Sequence, residues 1–193
     1  MPAPNAMNEL APLVTPRLEL RPLTLDVVTA LIESRPRAQI EALLGAEMPW
    51  AWPTRALVDQ AFPVSLEAIA RDPEQRLWGD RLIITRDAAP MIIGSVLFHG
   101  RPGDDGVTEM AYGIEDGSQG RGYATEAVSA CVTWALSQPE CRVVRAATTG
   151  WHKGSKRLLE KVGMRLVGKR HEGDSEMLTY EIARADRDAL QVG

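Results

Sequence analysis

Gly117-Ser118-Gln119-Gly120-Arg121-Gly122-Tyr123-Ala124 stands between an apolar run ending at Ile114 and a helical pattern opening near Ala124. Residues 107–114 (VTEMAYGI) predict a strand, and Ala124, Ala127, Val128, Cys131, Val132 and Ala135 recur with the period of one helix face. A strand, a glycine-rich turn and a helix in that order aim backbone N–H groups at one concave spot, at the positive end of the helix dipole. The ligand this predicts is an anion, a phosphate above all. A turn that merely reverses the chain is the plainer reading of the same residues.

Two familiar phosphate motifs do not fit. A Rossmann fingerprint needs a further small residue after Ala124, where Thr125 stands, and no ribose-binding acid closes the next strand about 20 residues on. A Walker loop needs Lys and Ser or Thr after its last glycine, but Gly122 is followed by Tyr123 and Ala124. Dinucleotide and ATP-dependent chemistry are both disfavoured.

Outward from this stretch the chain alternates strands and helices. Leu23 to Ser34 is helical in pattern, with Thr24 as cap and Asp26 in the first turn. Residues 36–45 predict a short helix stopped at Gly45, and Met48 to Pro53 is irregular because prolines flank the tryptophans. Ser65 to Arg71 predicts a third helix. Trp78 to Thr85, Pro90 to His99 and 107–114 predict an antiparallel meander, and 141–148 a strand following the long helix. Lys153 to Val162 reads as a second major helix, and 164–170 with 176–184 as a closing hairpin around Glu172-Gly173-Asp174. With 193 residues, 45% of them hydrophobic and 25% charged, the expectation is one globular domain over residues 1–193. The net charge of −4 argues against a chain that coats nucleic acid, and no apolar run is long enough to span a bilayer. No signal pattern opens the chain, so the expected location is the cytoplasm. Cys131 and Cys141 read as buried free thiols rather than a disulfide or a nucleophile. His99 and His171 have no metal-ligand spacing, and no metal is expected.

Gln119-x-x-Gly122-x-Ala124 between strand and helix resembles the pyrophosphate loop of the GNAT superfamily of acyl-CoA-dependent N-acetyltransferases. Thr15-Pro16-Arg17-Leu18-Glu19-Leu20-Arg21 is similar to the opening strand of the branch that contains the ribosomal-protein alanine N-acetyltransferases. Ile93-Gly94-Ser95-Val96, Glu109 to Ile114 and Ser155 to Met164 resemble later elements of that branch, in its order, over about residues 15–183. The resemblance implies an α/β (α+β) fold with a mostly antiparallel sheet, splayed between the strands at 107–114 and 141–148. It implies acetyl-CoA as co-substrate, with Gly113, Ile114, Gln119, Gly120, Arg121, Gly122, Tyr123 and Ala124 around it. A homodimer is left open. A GNAT-shaped module that binds acyl-CoA without catalysis, as a sensor or assembly subunit, is the rival reading.

Amine acetylation needs a proton acceptor for the ammonium, a donor for the oxyanion and an acid for the departing thiolate. Glu109 matches a glutamate that many GNAT enzymes place near the acceptor amine; a solvated strand carboxylate is the alternative. Relatives commonly use a tyrosine or serine of the last helix as acid. No tyrosine falls in 150–163, so Ser155 becomes the candidate donor to the CoA sulfur, with helix capping as its other reading. His152 replaces the asparagine of the family motif and reads as a cap or as a neutral donor near the pantetheine. Lys153, Lys156, Arg157 and Lys161 make a basic stripe that is a solvated face or, at Lys153 or Lys156, a partner for the 3′-phosphate. Resemblance places the acceptor between the helices at 24–45, the Met48–Pro53 segment and the strand edges, opposite the cofactor entrance, where Trp50 and Trp52 wall the groove or plug the core. Glu33, Glu41, Glu47 and Asp59 are interspersed with Arg35, Arg37 and Arg55, so a singly charged amine, a peptide or amino-acid-like one, is expected ahead of polyamines and aminoglycosides.

Overall fold

The structure, a computed structural model, describes residues 11–50, 52–53, 58–59 and 62–186. Arg55 and both chain ends lie outside the described residues. In chain order the elements are β1 (Leu13–Val14), β2 (Leu18–Pro22), α1 (Leu25–Ile32), α2 (Arg37–Leu44), α3 (Phe62–Arg71), β3 (Asp80–Thr85), β4 (Ile92–Phe98), β5 (Val107–Ile114), α4 (Tyr123–Ser137), β6 (Val143–Thr149), α5 (Lys153–Lys161), β7 (Arg165–Glu172) and β8 (Ser175–Ala183).

Helix boundaries follow local chemistry. Thr24 caps α1 by accepting from the Val27 N–H, and α2 ends at Gly45, whose φ of 61° is the left-handed conformation glycine takes freely. The predicted strand at Trp78 begins later, at Asp80. Asp72 accepts from the Glu74 N–H and starts a 3₁₀ helix, Pro73–Trp78, with proline in its first turn, which removes Trp78 from the sheet. The Ser65–Arg71 helix starts earlier, at Phe62, with Pro63 in the first turn where its missing N–H costs nothing.

The sheet runs β1-β2-β3-β4-β5-β6-β8-β7 and is antiparallel at every pair except β5 with β6. Two apolar cores lie on its two faces. Leu82, Ile84 and Ile92 pack with α1, α2 and Phe62 of α3 on one side. On the other, Val96, Phe98, Met110, Val144 and Ile182 pack with α4 and α5, where Trp78, Phe98 and Trp134 meet ring to ring. Alternation along each strand therefore decides which face a side chain serves. Residues of β5, β6 and β8 that point away from α4 and α5 look onto a part of the sheet beyond the first core.

Candidate active site

β5 and β6 pair only from Val107 with Val143 to Met110 with Ala146. Beyond that point β5 runs on to Ile114 against β4, and β6 to Thr149 against β8. The two strands are thus held from outside but not to each other, and the sheet forks at Met110. A Cβ on Gly94 would lie 2.1 Å from the Gly113 oxygen, so β4 approaches β5 closely here and Gly113 turns its carbonyl toward β4. By the same alternation, the Tyr112 and Ile114 amides face the open fork while that of Gly113 does not. Gly113 contributes open space instead, since a Cβ there would touch nothing within 4 Å.

At the end of β5 the chain enters the glycine turn. Gly120 and Gly122 have φ of 74° and 79°, and Gly122 is the N-cap of α4 without a side chain to offer. The first-turn N–H groups of Tyr123 and Ala124 therefore carry no N-cap side chain, the arrangement that receives an anion. Gln119 is exposed and folds back along its own turn, its Nε2 donating to the Ile114 carbonyl at 3.1 Å and to Asp116 Oδ1 at 2.9 Å. It shapes the turn. Arg121 is exposed, and its carbonyl accepts from Arg17 Nη1 at 2.9 Å.

Arg17 belongs to a clamp that sequence reading did not find. Glu126, in the first turn of α4, accepts from Thr15 Oγ1 at 2.6 Å, the Arg17 N–H at 3.0 Å and Arg17 Nε at 2.7 Å, while the Arg17 guanidinium lies 4.6 Å from the Tyr123 ring centre. Partial burial pushes the Glu126 carboxyl up, but the bonds from Thr15 and Arg17 outweigh it and hold the group below its ordinary value. The Thr-Pro-Arg start of the first strand, 109 residues away, was the available signal.

On the α4–α5 side of the fork, Tyr112 reaches across to Ser155, with 2.7 Å between the hydroxyl oxygens. Burial raises the Tyr112 phenol above its ordinary value, partly offset by this bond. β5 thus brings a tyrosine hydroxyl to the last helix, which has no tyrosine of its own. His152 is the N-cap of α5: its Nδ1 accepts from the Ser155 N–H at 3.2 Å, and its ring stacks on the exposed Trp151. The cap reading is present through Nδ1, and Nε2 is the nitrogen left for the other. Lys156 donates from Nζ to the Gly150 carbonyl at 2.8 Å, which ties it to the β6–α5 turn, whereas Lys153, Arg157 and Lys161 are exposed.

Glu109 lies on the opposite face, in a row of charges across the sheet. Arg145 binds Glu181 at 2.6 Å and Glu109 at 3.6 Å, and His99, directly across from Glu109 on the neighbouring strand, sits 3.9 Å from its carboxylate. Above all the bond to Glu181 holds the Arg145 guanidinium charged. Next to His99 opens a cavity of about 380 Å³ between α3, the 3₁₀ helix and the adjoining ends of β3 and β4. Asp80 borders it, and burial pushes that carboxyl up to about 6 against the opposing pull of His99. Neither tryptophan of the 48–53 segment lines this cavity: Trp52 packs edge-on to Phe62 at 6.3 Å, and Trp50 is 96% exposed. Trp52 is a core plug.

Both cysteines are free and buried, and burial pushes Cys131 up to about 12 and Cys141 to about 11. Neither is an activated nucleophile. Among the described residues no group of three or more His, Cys, Asp or Glu is placed to hold a metal ion, and no helix is long and apolar enough to cross a membrane.

A forked mixed sheet with a glycine turn feeding an uncapped helix defines an N-acetyltransferase fold. The model of the acetyltransferase (GNAT) domain matches residues 17–165, and the chain belongs to that family. It is 28% identical over 160 residues to the uncharacterized N-acetyltransferase YjdG of Bacillus subtilis, covering 83% of this chain and 93% of that one. Among solved structures, the ribosomal-protein-S5-alanine acetyltransferase of Vibrio fischeri superposes with a TM-score of 0.65 at 13% identity, covering 91% of this chain and 98% of that one. The aminoglycoside acetyltransferase AAC(6')-Ib, in complex with coenzyme A and kanamycin, superposes with a TM-score of 0.60 at 20% identity, covering 90% and 99%. At these identities the structural likeness is one of fold.

Proposed function

We propose that the protein transfers the acetyl group of acetyl-CoA directly to the primary amine of a small molecule or peptide, both bound at once. The observation that carries this is the placement of candidate acid and base on the two sides of one fork, Tyr112 with Ser155 on the α5 side and Glu109 on the other. The residues fit the co-substrate. Free amides at the start of α4 suit its pyrophosphate, and the unpaired edge of β5 suits the amides of an extended pantetheine. Acetyl-CoA supplies the acetyl group as a thioester. Glu109, directly or through a water, takes the proton that the amine nitrogen loses as it bonds to the carbonyl carbon. The Ile114 N–H donates to the carbonyl oxygen as charge gathers there. Ser155, hydrogen-bonded to Tyr112, donates a hydrogen bond to the sulfur as the carbon–sulfur bond breaks, and the departing thiolate takes up a proton from water, to which Glu109 returns the one it received. With both thiols buried, no acyl-enzyme is invoked.

The test is CoA-thiol release against a panel of amines and short peptides. Release with at least one amine, initial rates following an intersecting rather than a parallel pattern, supports direct transfer. Acetyl-CoA bound but consumed with no amine would favour the non-catalytic sensor instead.

A further inference from the structure

Nothing in the transfer step itself accounts for the cavity beneath α3. Its walls are apolar, with Leu23, Val64, Ala68, Ile69, Trp78 and Leu97 among them. Asp80 is the sole carboxylate on its lining, and among the described residues its side chain makes no hydrogen bond or ion pair. Arg76 also borders the cavity, its buried Nε without a hydrogen-bond partner among the described residues, and the charge of His99 bears on Asp80. A partnerless carboxylate in apolar surroundings costs free energy that a ligand bringing a cation recovers.

Strand alternation then sets the geometry. Asp80 shares its face with Leu82 and Ile84, and Glu109 points away from Met110 and α4, so both carboxylates stand on the same side of the sheet. They are two strands apart, about 10 Å across the sheet, with His99 between them. We propose that this cavity is the second subsite of the acceptor, and that the preferred acceptor is a short diamine. One nitrogen reacts beside Glu109, the methylene chain follows the apolar walls, and the other nitrogen, protonated, meets Asp80. This rests on the acetyltransferase reading above. It departs from the expectation of a singly charged amine: Glu33 and Glu41 do pair locally with Arg35 and Arg37, and the carboxylate that a second cation would meet is Asp80, outside residues 33–59.

Cadaverine and n-pentylamine, alike except for the second nitrogen, are the probes. With the wild-type protein, kcat/KM for cadaverine should exceed that for n-pentylamine by about tenfold. In Asp80→Asn that ratio should fall to near one, mainly through KM for cadaverine. Equal kcat/KM in the wild type, or a loss in Asp80→Asn shared by both amines, overturns the proposal. Calorimetry of cadaverine against the protein saturated with CoA separates this inference from the one beneath it. Binding that Asp80→Asn weakens, without turnover of any amine, would keep the subsite and sink the acetyltransferase reading; no binding and no preference would sink the subsite.

Discussion

The glycine turn at Gln119–Ala124 and the Asp80 cavity differ most in how far along the chain their parts are drawn from. The turn is built from consecutive residues, and its two left-handed glycines and uncapped helix are consequences of six neighbouring residues. The cavity takes Leu23, α3, the 3₁₀ helix, Asp80 and His99, and meets Glu109 only through the pairing of β4 with β5. A local device tolerates distant change and is sensitive to its own residues. An assembled one depends on register, since a slip of one residue would turn Asp80, His99 or Glu109 to the other face. Variants in the two regions should accordingly separate acetyl-CoA binding from turnover.

The largest effect belongs to Glu109. Glu109→Gln keeps the shape and removes the proton acceptor, so kcat should fall by about 10²-fold or more while acetyl-CoA affinity stays close to wild type. Tyr112→Phe, which leaves Ser155 without its partner, should cost about tenfold in kcat. Normal turnover of the glutamine variant from pH 6 to 9 would take the base away from Glu109.

Gly122→Val tests the turn. A branched side chain at a φ of 79° is strained and stands where phosphates approach, so acetyl-CoA affinity should drop by at least about tenfold, or roughly 1.4 kcal/mol. Circular dichroism should show the fold retained. Unchanged affinity in calorimetry would reduce the stretch to a chain reversal.

Stability against pH gives the smallest signal and probes the cavity without any ligand. Burial raises Asp80 from 3.8 to about 6, so between these values the folded protein keeps a proton that the unfolded chain has lost. Stability from this group therefore falls as pH rises through that window and stays reduced above it. Asn cannot ionise. The Tm of Asp80→Asn should gain on wild type between pH 4 and 6 and remain a few degrees ahead at pH 8. A margin that is the same at pH 4 and pH 8 would mean that Asp80 is not desolvated.

Most elements were legible in the sequence because their signals are short-range. The 107–114 strand, the Thr24 cap, the Gly45 stop and the hairpin turning at Gly173 each depend on residues within a turn or two. Trp78 misled, since an apolar aromatic before a β-branched run reads as strand until Asp72 and Pro73 are weighed as a 3₁₀ start. Site residues separated along the same line. Glu109, Ser155 and the glycine turn could be named from their motifs, whereas Tyr112 as the partner of Ser155 and Arg17 as the partner of Glu126 could not, for their contacts span 43 and 109 residues.

By itself, then, the sequence determined the order of strands and helices, the glycine turn and the candidate chemistry of Glu109 and Ser155, because periodicity and φ preference act between near neighbours. Only the tertiary structure decided where the sheet forks, that Tyr112 of β5 meets Ser155 of α5, and that Asp80 and Glu109 share one face about two strand spacings apart. Those facts belong to register and to the packing of helices on two faces, which no stretch of chain carries alone.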